Sequence, residues 1–266
     1  MRTAGLSLML AMALALPCAA QTDAAQRPDC SRPLSLGLHD HGLLYSPQTG
    51  TGIDRDVADE LIRRSGCRIQ VALMPRARIW QLIEAGALDF SLSGISTPQR
   101  DKFAAFAWYF SNKYYLLVRR DAQVQSLADF AANERLTLGV IRSFRYSDSA
   151  NRFVDELQAR QRITQSSGLT PLFEALVAGQ IQAMIIEPFD YPTLESARLR
   201  ALSQIIEFGD KPVPHGLIMS RASLSEAEQQ KWRGLVQAML RDGSMQRIFE
   251  KYFKPELARS LLQELP

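Results

Sequence analysis

Residues 80–89 read WQLIEAGALD and residues 173–183 read FEALVAGQIQA. Each is a short helix with an apolar face, then Ala-Gly, then the entry into a strand. Glycine suits such a helix end, because the chain leaves the helix through the left-handed region. The same phrase occurring twice implies two α/β lobes built alike, each offering a strand-end loop toward the other.

Outward from these phrases the pattern keeps alternating. Short β runs are expected over 34–38, 69–74, 90–92, 114–118, 136–141, 184–186 and 217–219. Amphipathic helices are expected over 54–65, 78–85, 126–132, 149–159, 169–178, 226–241 and about 245–252. Alternation of this kind predicts α/β layers with largely parallel sheets. Ligand sites in such sheets fall at the carboxyl ends of the strands.

The bulk numbers narrow the class. With 266 residues the chain can bury a core without metal or disulfide staples, and 22% charged with 46% hydrophobic residues argues against disorder. A net charge of +3 with no basic stripe argues against a nucleic-acid binder. Residues 1–20, MRTAGLSLMLAMALALPCAA, carry one basic residue, an apolar stretch and small residues before Gln21. That is the layout of a cleavable export signal, and it is short of the roughly 20 apolar residues a membrane span needs. Ala15-Leu16-Pro17 is a poor lipobox for Cys18, so simple cleavage after Ala20 is expected.

Cleavage leaves Cys30 and Cys67, each just before a strand-like run. A strand–helix–strand unit sets those runs side by side and parallel, so the two cysteines are well placed to bond in an oxidising compartment. The other reading is two free buried thiols.

Seven segments in order carry a family resemblance: GIDRDVADELIRRSG (52–66), WQLIEAGALDFSLSGISTPQR (80–100), FAWYFSNKYYLLVRR (106–120), SLADFAANERLTLGVIRS (126–143), the phrase at 173–183, HGLIMSR (215–221) and LVQAMLRDGSMQRIFEKYF (235–253). Together they resemble the periplasmic solute-binding proteins of the polar amino-acid uptake type, family 3 of the bacterial extracellular solute-binding proteins. The resemblance implies a two-lobed type II clamshell of α/β lobes, each a mostly parallel sheet flanked by helices. Lobe one would take 21–112 and 214–266, lobe two 117–209, with hinge crossovers at 112–117 and 209–214.

It also implies site residues. Arg100 would take a ligand α-carboxylate, for which a planar guanidinium offers two parallel donors. Thr97 and Ser96 would supply hydroxyl and N–H groups, with Ser93 on the preceding strand end. The spacing from Asp89 to Arg100 is one residue shorter than the family pattern. Glu187 stands where the family commonly pairs an Asp with the ligand's ammonium. Ser143 stands at a helix start on the second lobe, beside Arg142 and Arg145, which either bring charge into the cleft or stay solvated. His39, Trp80 and Tyr45 are candidate contacts or cleft walls, each with plain packing as the other reading. His39-Asp40-His41 lacks a third ligand for a metal site. Asp54 and Asp56 read as carboxylates at a helix N-terminus.

The function so implied is capture of a small, amino-acid-like solute by hinge closure for an ABC-type permease. The carrier would be a periplasmic monomer without cofactor or metal. The alternatives are a solute sensor without a transporter, or an enzyme like the cyclohexadienyl dehydratases on the same fold.

Overall fold

The computed structural model describes residues 27–195 and 197–266, so the export signal with Cys18 lies outside the described residues. Two five-stranded sheets organise the chain. The first takes β1 (Leu34–Leu38), β2 (Ile69–Leu73), β3 (Phe90–Gly94), β4 (Ala104–Asn112) and β10 (Val213–Ser220). The second takes β5 (Tyr115–Arg119), β6 (Leu138–Ile141), β7 (Ile163–Ser166), β8 (Ala183–Ile186) and β9 (Ser203–Glu207). Helices α1 (Ile53–Ser65), α2 (Arg76–Glu84), α3 (Leu127–Ala132), α4 (Asp148–Ala159) and α5 (Leu169–Val177) alternate with these strands. After β8 come α6 (Tyr191–Leu194) and α7 (Ala197–Leu202), and after β10 come α8 (Glu226–Arg241), α9 (Ser244–Glu250) and α10 (Pro255–Leu261).

The two sheets repeat one topology, β2-β1-β3-β10-β4 and β7-β6-β8-β5-β9. In each, three neighbouring strands run parallel and the fourth is antiparallel to both of its neighbours. Each sheet is therefore mixed in its pairings, although four of its five strands share one direction. The reversed strands are β5 and β10, the first strand after each passage between the sheets. This is the two-lobed, type II clamshell.

The repeated phrase lands at equivalent places, α2 into β3 and α5 into β8. Gly86 and Gly179 take φ of 70° and 74°. Gly86 N–H donates to the Ile83 carbonyl and Ala87 N–H to that of Leu82; Gly179 and Gln180 do the same to Leu176 and Ala175. Both helices thus end in the same Schellman cap.

Three strands escape the sequence pattern for physical reasons. In β4 almost every residue is buried, so AAFAWYFSN shows no alternation. β7 and β9 are edge strands, short and half polar, and give little signal. Cys30 and Cys67 form a disulfide with Cα atoms 4.9 Å apart, where β1 and β2 begin parallel pairing at Leu34 and Ile69.

One contact ties the lobes together at depth. Phe189, just past β8, is fully buried in the first lobe's core, with its ring 5.0 Å from Phe110 and 5.5 Å from Phe253. Its carbonyl accepts from Leu43 N–H at 3.0 Å. Gly42 (φ 49°) permits this approach, since a Cβ there would lie 2.4 Å from the Phe189 oxygen.

Candidate functional site

Helix α2 places Arg76 and Trp80 one turn apart on the same face, which is buried. The chain leaving β3 returns through a short 3₁₀ turn, Arg100–Lys102, and lays the Arg100 guanidinium 3.9 Å above the Trp80 ring. The Arg76 guanidinium lies 5.1 Å from the same ring. Arg76 donates to the carbonyls of Leu92 (3.1 Å) and Ser93 (2.9 Å); Arg100 donates to Ile95 (3.2 Å) and, across the cleft, to Ser143 (2.9 Å). Arg76 is 4% exposed and Arg100 7%. Burial lowers their guanidinium pKa values to about 10 and about 9, with Arg76 itself acting on Arg100. Both remain cations at neutral pH.

Ser93 sits at the end of β3 with φ 51°, a left-handed conformation that costs a non-glycine residue energy. The reward is local: its hydroxyl donates to Asp54 Oδ1 at 2.5 Å and its N–H to Tyr109 Oη at 2.9 Å. Asp54 therefore turns inward instead of facing the helix N–H groups, and burial raises its carboxyl to about 6. Asp56 points the other way, to Lys251 and Tyr252.

A second cluster forms where β1 and β8 end. His41 Nε2 lies 2.6 Å from Glu187 Oε1, while Asn112 donates to Glu187 Oε2 at 2.9 Å. Asp190 Oδ2 accepts from the Glu187 N–H. Burial disfavours both charges, yet the His41–Glu187 bond outweighs it, raising His41 and holding Glu187 below its ordinary range. The two shifts agree on a cross-lobe ion pair. Phe144 stacks on the His41 ring at 5.1 Å and packs near His39. Among the described residues His39 has no hydrogen-bond partner at either ring nitrogen, and burial keeps it neutral.

Between these clusters lies an inner pocket lined by Arg76, Ser93, Arg100, Tyr114, Arg145 and His215, among others. Closed as it is, it has about 10 Å³, room for a single water at most. Tyr114 Oη lies 2.8 Å from His215 Nε2, and His215 Nδ1 2.8 Å from the Val213 carbonyl. Nδ1 therefore carries the proton and Nε2 accepts from the tyrosine; burial lowers His215 to about 4, consistent with a neutral ring. A wider groove of about 850 Å³ continues outward past Ser96, Thr97, Lys102 and Lys211.

Of the residues expected from sequence, the structure brings Arg100 and Ser93 to the inner pocket, with Trp80 behind Arg100 and His39 beneath Phe144. Ser143 meets Arg100 through its carbonyl, but it lies in a turn at φ 61° and not at a helix start, because α4 begins only at Asp148. Ser96 and Thr97 line the outer groove: Ser96 donates to Asp101, and Thr97 Oγ1 accepts the Arg100 N–H. Glu187 is not among the pocket-lining residues; both its oxygens are engaged by His41 and Asn112. Tyr45 packs half-buried on the first lobe's core, away from the pocket. Arg145 lines the pocket while its guanidinium pairs with Asp155 at 3.1 Å. Sequence reasoning missed Arg76, Tyr114, Phe144 and His215. Only Arg76 had a readable signal, its spacing of four from Trp80. Among the described residues no group of three or more His, Cys, Asp or Glu could hold a metal ion, and no helix is long and apolar enough to cross a membrane.

Comparisons with known proteins agree with this architecture. The family model for bacterial extracellular solute-binding proteins, family 3, matches residues 42–255. Similar solved structures include an ancestral arginine-binding protein bound to arginine, 19% identical, covering 85% of this chain and 100% of that one, TM-score 0.70. A substrate-binding protein of an ABC uptake transporter from Streptococcus pneumoniae with bound histidine is 15% identical, covering 92% and 99%, TM-score 0.70. The ancestral amino-acid-binding protein AncCDT-1, a precursor of cyclohexadienyl dehydratase, is 21% identical, covering 84% and 96%, TM-score 0.68. No curated protein matches the sequence.

Proposed function

Because this chain belongs to the bacterial extracellular solute-binding proteins, family 3, we propose that it captures a small carboxylate-bearing solute of amino-acid size between its lobes and delivers it to an ABC-type permease. The observation that carries this reading is Arg100. Its guanidinium is buried and fixed against an indole face, and among the described residues it donates only to backbone carbonyls. A buried cation held this way is matched best by an anion with two parallel acceptor oxygens.

Capture requires the lobes to part. The crossovers between β4 and β5 and between β9 and β10 are the hinges, and opening breaks the Arg100–Ser143 bond and separates Phe144 from His41. The solute then replaces the Ser143 carbonyl at Arg100. Ser93 lines the same pocket while its own donors hold Asp54 and Tyr109, Trp80 keeps the guanidinium in place, and His39 packs nearby as a neutral wall. Ser96 and Thr97 shape the loop that presents Arg100. Ligand favours the closed state only through contacts it makes there and not in the open one. We take the role to be binding rather than catalysis, and the carrier to be an exported periplasmic monomer.

Thermal-shift screening of the purified protein against amino acids, organic acids and small peptides tests this reading. A solute that binds the native state alone raises the melting temperature by mass action. The expected hits carry a carboxylate; hits confined to neutral sugars or metal ions would refute the reading.

A further inference from the structure

Two buried arginines converge on one pocket that no carboxylate lines. Arg76 and Arg100 reach the same indole ring, and Arg145 stands at the rim. Among the described residues both buried guanidinium groups bond only to backbone carbonyls, through Nη1 and Nη2. Arg162, by contrast, is held by carbonyls on all three nitrogens as a purely structural arginine, and it lines no such pocket. Of the buried acids nearby, Glu187 is engaged through both oxygens by His41 and Asn112, while Asp54 accepts from Ser93 and Tyr109 through Oδ1 alone. The pocket lining therefore carries two buried cations and no carboxylate, and the charge of Asp54, which acts on Arg76 from outside the lining, balances at most one of them. Burying a cation without a partner is costly, so a site built this way is complete only when its ligand brings the missing negative charge.

We infer that the solute carries two anionic groups, one held by Arg100 and the other by Arg76, so that the site selects small dicarboxylates over zwitterions with a single carboxylate. The inference rests on the solute-capture reading above and sharpens its ligand class. Arg76 would set specificity while Arg100 supplies the common carboxylate anchor. Opening of the lobes frees Arg100 from Ser143, whereas Arg76 keeps its bonds to Leu92 and Ser93 and acts as a preset second anchor through its remaining donors.

Isothermal titration of the purified protein with succinate and glutarate, butyrate, and the zwitterions arginine, histidine and glutamine tests this. The expected result is binding of a dicarboxylate at least about tenfold tighter than butyrate or any of the zwitterions, the loss that removing one charge-assisted contact entails. Arg76→Met should reduce dicarboxylate affinity by roughly tenfold or more while changing butyrate affinity little, and Arg76→Lys should restore part of it. Circular dichroism confirms that each variant is folded; should Arg76→Met not fold, the ligand panel on the unsubstituted protein decides alone. A zwitterion binding tighter than every dicarboxylate overturns the inference and leaves solute capture standing. An equal loss for butyrate and dicarboxylate in Arg76→Met also overturns it. Absence of binding by every carboxylate overturns both.

Discussion

Arg100 of the first lobe donates to the Ser143 carbonyl of the second at 2.9 Å, so the group assigned to the ligand also bridges the closed lobes. The contact that bridges the lobes must be exchanged for the solute at Arg100. Arg100→Ala should cost carboxylate affinity by roughly tenfold to a hundredfold, the range for a lost hydrogen bond to a charged group. It should also shift the unliganded protein toward an open form, read as a larger radius of gyration by small-angle scattering. Unchanged affinity would remove Arg100 from the site.

The His41–Glu187 pair makes stability sensitive to pH. His41 is raised in the folded state, so its contribution is complete below its ordinary value of 6.5 and is lost as pH rises through the raised one. Glu187 is lowered, so its contribution is present above its ordinary 4.5 and is lost as pH falls through the lowered one. Their joint contribution is therefore greatest between about pH 4.5 and 6.5. Comparing melting temperatures across pH 6–9, the alkaline decline should be steeper in the native protein than in Glu187→Gln. Parallel profiles would show that the pair contributes nothing to stability.

Asp54 acts in the opposite sense to an ordinary paired carboxylate. Its folded value of about 6 exceeds the ordinary 3.8, so the folded state binds more protons in that interval and stability falls as pH rises through it. The loss is on the order of 3 kcal/mol. Asp54→Asn should flatten this part of the stability profile in denaturant titrations, while the amide oxygen still accepts from Ser93. Retention of the full decline would assign it to other groups.

The Cys30–Cys67 bond joins residues 37 apart in sequence. In the chain-entropy description a loop of this length contributes about 3–4 kcal/mol. Cys30→Ser should lower the melting temperature markedly, with solute affinity retained because the bond lies at the start of β1, the end opposite the site. Mass spectrometry of the unreduced protein should find no free thiol at either residue.

What could be read from sequence was local. The Ala-Gly ends of α2 and α5 announce their caps in five residues, and their repetition reveals two similar lobes. Arg100 stands out only through the family resemblance, as the arginine that ends the Ser96-Thr97-Pro98-Gln99 stretch. The rest depends on distant partners. His41 and Glu187 lie 146 residues apart and meet only when the segment after β8 docks its Phe189 into the first lobe. Nothing in AMIIEPFD distinguishes a carboxylate that faces a ligand from one that faces a histidine. Arg76 sits among other arginines at the start of α2, and only the three-dimensional path of β3 shows that its guanidinium is buried against the carbonyls of Leu92 and Ser93. Strand β4 is hidden for a different reason, because burial on both faces erases the alternation that marks a strand.

The most direct test is the crystal structure of the protein with a carboxylate solute that stabilises it in the thermal screen. The carboxylate should lie within hydrogen-bond distance of the Arg100 guanidinium, between the two lobes, with the Arg100–Ser143 bond replaced. A solute bound outside the cleft, with Arg100 still donating to Ser143, would contradict this.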